Sequence, residues 1–295
     1  MIQGLKVLGF ASHKGILILE RLMPELAEVE FYKSKWADYW PKQEWIQKLH
    51  LNPQSRNFRD PNSLSFEPLI GLSLDSARCH GKRILFQFKD HWLSVHLGMT
   101  GRLRRDSIEQ TIRKADHFIL YTQNFSFIFN DSRQFGKVSL EKSFSIPTWF
   151  SNLPIPILSS DFDQKYLDSI LKKKSKSLIK SALLDQQYFP GIGNYMADEI
   201  LFAAKIHPKT KASDCAFNSH LLNCIKFICK EAIHIVAKIG GARDEMSSEF
   251  PNDWLFNQRW HKGGICPISK EILQREKISG RTTVWSAKIQ KFCNP

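Results

Sequence analysis

The chain has 295 residues, 42% hydrophobic and 12% aromatic, and its 42 Lys and Arg against 29 Asp and Glu leave a net charge of +13. That apolar content builds packed cores and excludes a disordered chain, while 15 Gly and 13 Pro are too few for a low-complexity or collagen-like protein. The length suggests two domains at roughly 100–200 residues each. The excess of cations suggests a polyanionic partner, nucleic acid before an anionic membrane surface, against the plainer reading of a merely soluble basic protein.

Residues 1–22 superficially resemble a targeting peptide, but Ser12, His13, Lys14 and Glu20 interrupt the apolar stretch and no small-residue cleavage site follows. No apolar run reaches about 18 residues, so no transmembrane helix is expected. The chain is read as a soluble, cytoplasmic monomer, nucleoid-associated if bacterial. Pro24 sits where helices tolerate a proline and opens a predicted helix over 27–40. From about 64 to 142, short runs such as RILFQF, HWLSVHL, HFILYT and FSFIFN alternate with polar or Gly turns and predict a β-rich domain. Residues 151–160, with two prolines and no helical period, make the linker candidate. The period is helical from about 161 to 240. After a polar break at 243–253, residues 265–290 predict a hairpin turning at Ser279-Gly280. The six cysteines (Cys79, Cys215, Cys224, Cys229, Cys266 and Cys293) include no C-x-x-C pair and are read as reduced thiols.

The sharpest segment is Met23-Pro24-Glu25-Leu26-Ala27-Glu28-Val29-Glu30. On its own it is a proline at a helix start followed by carboxylates that suit the helix dipole. It is followed, in order, by GKRIL (81–85), HLGMTGRL (96–103), NDSRQFG (130–136), IKSALLDQ (179–186), GIGN (191–194), ADEILFAAKIHP (197–208) and GRTT (280–283). This ordered set, spanning Met23 to about Gln290, resembles the formamidopyrimidine-DNA glycosylase / endonuclease VIII family.

The resemblance implies a bifunctional base-excision enzyme. Such an enzyme removes an oxidised base from duplex DNA and then cleaves the abasic strand by β/δ-elimination. An amino-terminal amine titrates near 7.7–8.0, far below Lys, so much of it is nucleophilic at neutral pH. A secondary amine attacking the sugar carbon gives a cationic iminium that acts as an electron sink. By the resemblance Pro24 is that nucleophile, Glu25 transfers protons, Glu28 orders the site, and Lys82 supports sugar opening beside the lesion phosphate. Met99, Arg133 and Phe135 match the side chains that fill the void left by a flipped nucleotide. Lys180, Asn194 and Arg281 match residues gripping the phosphates. Pro190 to Asn194 forms a glycine-rich turn whose N–H groups can face a phosphate. The Lys172-Lys173-Lys174 run is read as a solvated face.

The implied fold class is α+β. Residues 23–150 form an N-terminal β-sandwich-like catalytic domain with flanking helices, and 151–160 the linker. Residues 161–250 form a helical domain with a helix–two-turn–helix module, and 251–295 a terminal β-hairpin finger. Residues 1–22 are a leader or a mis-assigned start. The reaction needs a free proline nitrogen, so Met23 is expected to be the true start and to be removed. A cleaved leader and a non-catalytic DNA-binding or damage-sensing protein with Pro24 locked in an amide are the alternatives. A ribosome-associated RNA binder would use residues 179–208 but leave the proline signature unused.

The chain departs from the family at Ser132, where Pro is usual, at the Tyr195-Met196 order, and above all in the finger. The four zinc-binding cysteines match Cys266, Ser269, Ser286 and Ile289, which leaves one thiolate. No metal or other cofactor is therefore expected, a site from His261, Cys266 and Cys293 being discounted. The zincless hairpin is expected to be held by Ile265, Ile272, Val284, Trp285 and Ile289. Which oxidised base is preferred is not legible in the residues.

Overall fold

The computed structural model describes residues 23–56, 58, 65–240, 250–260 and 262–293. The leader expected at 1–22 and His261 lie outside the described residues. The fold is α+β. A sandwich of two antiparallel four-stranded sheets is followed by a helical cluster and a terminal hairpin.

Helix α1 (Leu26–Ala37) starts at Glu25, whose backbone is extended. The Glu28 carboxylate reaches back to accept from the Glu25 N–H at 2.9 Å, satisfying a donor that the first helical turn leaves free. The helix stops short of the predicted residue 40, and Pro41 follows. Its two ends serve different cores. Leu26 and Ala27 are buried in the helical cluster, whereas Val29, Tyr32 and Trp36 are buried in the sandwich. The helix is thus a shared wall, and its first residues lie where the two cores meet.

The strands are β1 (Lys48–Leu51), β2 (Ser76–His80), β3 (Arg83–Phe88), β4 (His91–His96), β5 (Arg102–Ser107), β6 (Asp116–Tyr121), β7 (Phe125–Asn130) and β8 (Lys137–Lys142). One sheet has the order β1-β6-β7-β5 and the other β2-β3-β4-β8. Ile84, Phe86 and Phe88 alternate along β3 and meet Phe118, Phe127 and Phe129 of the facing sheet. Each such ring contributes about 1.5–3 kcal/mol by leaving water. Strand β1 was not predicted. Its four residues, KLHL, are too short for a period, and its pairing with β6 defines it.

Short helix α2 (Thr148–Ser151) leads into the 151–160 segment, which is packed: Ile157 is buried in the helical core. The cluster comprises α3 (Gln164–Lys173), α4 (Ile179–Leu183), α5 (Asn194–Ala203) and α6 (Ser219–Lys238). Asp163 and Asn218 cap α3 and α6 through side-chain oxygens, accepting from Tyr166 and Leu221 N–H. No helix among the described residues is long and apolar enough to cross a membrane.

The hairpin pairs β9 (Gln274–Ile278) with β10 (Arg281–Trp285). Ser279 and Gly280 at its turn have φ of 48° and 77°, the two positive values that a two-residue turn matching strand twist requires. Its packing corrects one expectation. Val284, Trp285 and Ile289 turn inward, but Ile265 and Ile272 are 49% and 68% exposed. The two isoleucines pair with each other as an isolated bridge at the rim. Their chain neighbours Cys266 and Leu273 turn inward instead, against Phe202 and Leu255.

Candidate active site

Pro24 and Glu25 are both buried, at the junction of the two cores. The Glu25 carboxylate projects into the glycine turn before α5. It accepts from the N–H groups of Gly193 at 3.0 Å, Tyr195 at 3.0 Å and Met196 at 3.1 Å. These are orphan donors of an α-helix N-terminus, where the dipole also favours negative charge. Glycine at position 193 leaves the space that the carboxylate occupies, because a Cβ there would overlap it. The Leu26 N–H donating to Gly191 O at 3.0 Å adds a backbone tie between the same two segments.

Burial raises the pKa of Glu25, opposed by the Lys82 ammonium and by the N–H groups of Tyr195 and Met196. Lys82 is held below its ordinary value by burial, opposed by Glu25, with the Arg281 charge lowering it further. Lys82, Glu25, Glu28 and Arg281 therefore share one electrostatic environment. A cavity of about 340 Å³ opens beside them, lined by Lys82, Arg83, His80, His96, Gln186 and Gln187. Glu28 accepts from the Tyr195 hydroxyl at 3.1 Å, and Tyr195 lies edge-on to Phe256. The unusual Tyr195-Met196 order thus puts a phenol on the carboxylate that Glu28 supplies.

Lys180 departs from expectation. Read as a backbone clamp, its side chain is fully buried, with Nζ 2.5 Å from Asp198 Oδ1 and 2.8 Å from the Asn194 carbonyl. The other Asp198 oxygen accepts from Arg259 Nη2 at 2.7 Å and from the Val284 N–H at 3.2 Å. One carboxylate so joins α4, α5, Arg259 in the segment before the hairpin, and β10. Asn194 is also turned inward, its Nδ2 donating to Thr282 O at 2.8 Å. These bonds, with the Ser181–Ser279 hydroxyl contact at 2.6 Å, hold the hairpin tip against the helix–two-turn–helix. Arg281 remains exposed beside them.

Met99, Arg133 and Phe135 come together on two loops. The backbone at Gly98 packs on that of Phe135 so closely that a Cβ at Gly98 would overlap it. Asp131 ties the loops by accepting from the Thr100 hydroxyl and from the N–H groups of Arg133 and Gly136. Phe135 is 48% exposed with the Arg133 guanidinium 4.8 Å over its ring, and Met99 is half-buried. An exposed aromatic on a braced loop has the form of a wedge. The sequence does not mark Asp131, Asp198, Arg259 or Tyr195 as site residues: the last three act through partners distant in sequence, and Asp131 acts mainly within its own loop; a charged residue inside an apolar helical run, as in Asp198-Glu199, was the available signal.

Family models for the N-terminal domain and the H2TH domain of formamidopyrimidine-DNA glycosylase match residues 23–138 and 154–243. The formamidopyrimidine-DNA glycosylase of Wolbachia sp. subsp. Brugia malayi (strain TRS) is 35% identical over 280 residues, 92% of this chain and 98% of that one. The chain belongs to the formamidopyrimidine-DNA glycosylase family. Among solved structures, MutM in complex with DNA containing carbocyclic 8-oxo-G matches with a TM-score of 0.77 at 25% identity, over 91% of this chain and 100% of that one. The Lactococcus lactis enzyme non-covalently bound to DNA with an AP site has the same fold, with a TM-score of 0.75 at 24% identity over 90% and 99% of the two chains.

Within this family fold the finger is held by hydrogen bonds. The Ser269 N–H donates to Cys266 Sγ at 3.3 Å, the Ser269 and Ser286 hydroxyls lie 3.4 Å apart, and the Ile289 N–H donates to Ser286 Oγ at 3.3 Å. One thiol and two hydroxyls do not fit a tetrahedral zinc site. No group of three or more His, Cys, Asp or Glu able to hold a metal occurs among the described residues.

Proposed function

We propose that this chain is a base-excision DNA glycosylase that also cleaves the abasic strand, with Pro24 as nucleophile once residues 1–22 are gone. The observation that carries the reading is the Glu25 carboxylate. It adjoins the proline, is buried, and is aimed by three backbone N–H groups. Family membership supports the glycosylase activity, and the DNA complexes of the structural relatives support damaged duplex DNA as the partner.

In this reading the free Pro24 nitrogen attacks the sugar carbon. The bond to the base breaks and the ring opens as Glu25 delivers a proton. Burial keeps Glu25 protonated to higher pH than an exposed carboxylate, which suits that step. Lys82, with its charge beside the carboxylate, supports the opening sugar and the adjacent phosphate. Arg281 grips the flanking phosphates from the hairpin, while Met99, Arg133 and Phe135 fill the gap in the duplex. Lys180 acts as a positioning residue through the Asn194 carbonyl and Asp198. With residues 1–22 attached the nitrogen is an amide without a usable lone pair, and the chain would be a DNA-binding protein only.

Borohydride trapping on duplexes carrying single oxidised bases tests both readings. A chain beginning at Pro24 should form a covalent adduct that the full 295-residue chain does not. Glu25→Gln should lower the trapping rate by at least 100-fold. Absence of adduct on purine- and pyrimidine-lesion duplexes alike would overturn the enzymatic reading. We also propose that the finger works without zinc: a chelator should leave the melting temperature unchanged, whereas a true zinc finger unfolds.

A further inference from the structure

Cys215 and Cys293 stand 78 positions apart in sequence, yet their sulfurs are 3.8 Å apart, the one cysteine fully buried and the other half-buried. Neither belongs to the site described above. Cys215 closes a 3₁₀ turn (Ala212–Cys215) that is anchored by Ala212 N–H to Ser177 O at 2.9 Å. Cys293 follows a short strap laid along the end of α5. There His207 N–H donates to Lys291 O at 2.7 Å, Lys291 N–H to Lys205 O at 2.9 Å, and Phe292 stacks on His207 at 4.1 Å. The strap continues from the hairpin through Gln290, whose amide spans Ser286 N–H and Ile206 O. The sulfurs need to approach only to about 2 Å for a bond, and Cys293 lies just beyond the strap's last backbone tie.

We propose that Cys215 and Cys293 are an oxidative modification site: a dithiol that a peroxide converts to a disulfide, pinning the hairpin strap to the helix–two-turn–helix domain. The Cys293 thiolate attacks one peroxide oxygen, the O–O bond breaks, a sulfenic acid forms, and the departing hydroxide takes up the proton that the thiol released on ionising and leaves as water. The Cys215 sulfur then attacks that sulfur, the S–O bond breaks, and a second water leaves with the Cys215 proton. Two electrons pass from the sulfur pair to the peroxide. Hydrogen bonding from Cys215 lowers the Cys293 pKa to about 7, so the more accessible sulfur is also the one that ionises at neutral pH. The other thiols lack this arrangement. Cys229 is buried with its pKa raised by burial, and Cys266 is held by Ser269 and Ser286.

The test treats the purified full chain with hydrogen peroxide, blocks remaining thiols with iodoacetamide, and maps peptides without reduction. The expected result is a cross-linked peptide joining Cys215 and Cys293, a mass lower by two hydrogen atoms, and a melting temperature higher by about 5–10 °C. Dithiothreitol should reverse all three. Cys293→Ser should abolish the cross-link and the shift, while Cys224→Ser keeps both. Full alkylation of Cys215 and Cys293 after peroxide, over-oxidation of Cys293 without a cross-link, or a cross-link through any other cysteine would overturn the proposal.

Discussion

Glu25 and Glu199 are both buried carboxylates that accept backbone N–H groups, yet their surroundings separate them. Glu25 has the Lys82 charge beside it. Glu199 accepts from Leu255 and Phe256 N–H at 3.0 and 3.1 Å, and burial pushes its pKa to about 8. A carboxyl titrating near 4.5 when unfolded and near 8 when folded binds more protons in the folded state between those values. Its contribution to stability is therefore greatest at low pH and declines as pH rises through that window, by at most about 1.4 kcal/mol per pH unit. Denaturant titrations from pH 5 to 8 should show a shallower decline for Glu199→Gln than for the parent chain. An unchanged slope would show that Glu199 stays ionised. The resemblance had assigned Glu25 its proton-transfer role, whereas nothing in the sequence singled out Glu199. The spacing of Glu25 and Glu28 was legible, but the N–H groups that Glu25 meets belong to Gly193, Tyr195 and Met196, and the hydroxyl that Glu28 meets to Tyr195, about 170 residues away in the chain.

Among the elements, the turn into α5 and the hairpin tip matter most, because each orients a charge supplied from elsewhere. Gly193 leaves room for Glu25 where any side chain would intrude. Gly193→Ala should displace the carboxylate. The expected outcome is a loss of borohydride trapping of at least 10-fold with only a modest fall in melting temperature. Equal loss in both would mean that the turn serves folding alone. The hairpin depends on Asp198, whose oxygens serve Lys180, Arg259 and Val284 N–H together. The glycine turn was readable because GIGN stands before a helical period. The carboxylate hub was not, because a buried Asp within ADEILF looks like any polar residue on a helix until its partners converge. The expected contributions of Ile265 and Ile272 failed for a related reason: hydrophobicity does not say which face of a short, irregular strand meets the core.

At the scale of the molecule, the charge of +13 accompanies a fold in which Lys82, Arg83 and Arg281 remain near one face of the junction. If Arg281 grips a phosphate, Arg281→Ala should weaken duplex binding uniformly across sequences. It should also reduce the slope of log K against log salt by about 1. An unchanged slope would remove Arg281 from the interface. A β-rich part, a helical part and the hairpin turn at Ser279-Gly280 were determined by the sequence itself, because hydrophobic period and turn chemistry are local properties; the sandwich came with the family resemblance. The family, too, was legible from motifs in fixed order. Tertiary structure alone decided that α1 is a wall shared by two cores, that Lys180 is enclosed by Asp198, and that hydrogen bonds span the finger positions. It also brought Cys215 within reach of Cys293. Each of these depends on which distant segments touch, and burial and charge pairing act through space between residues that no local pattern links.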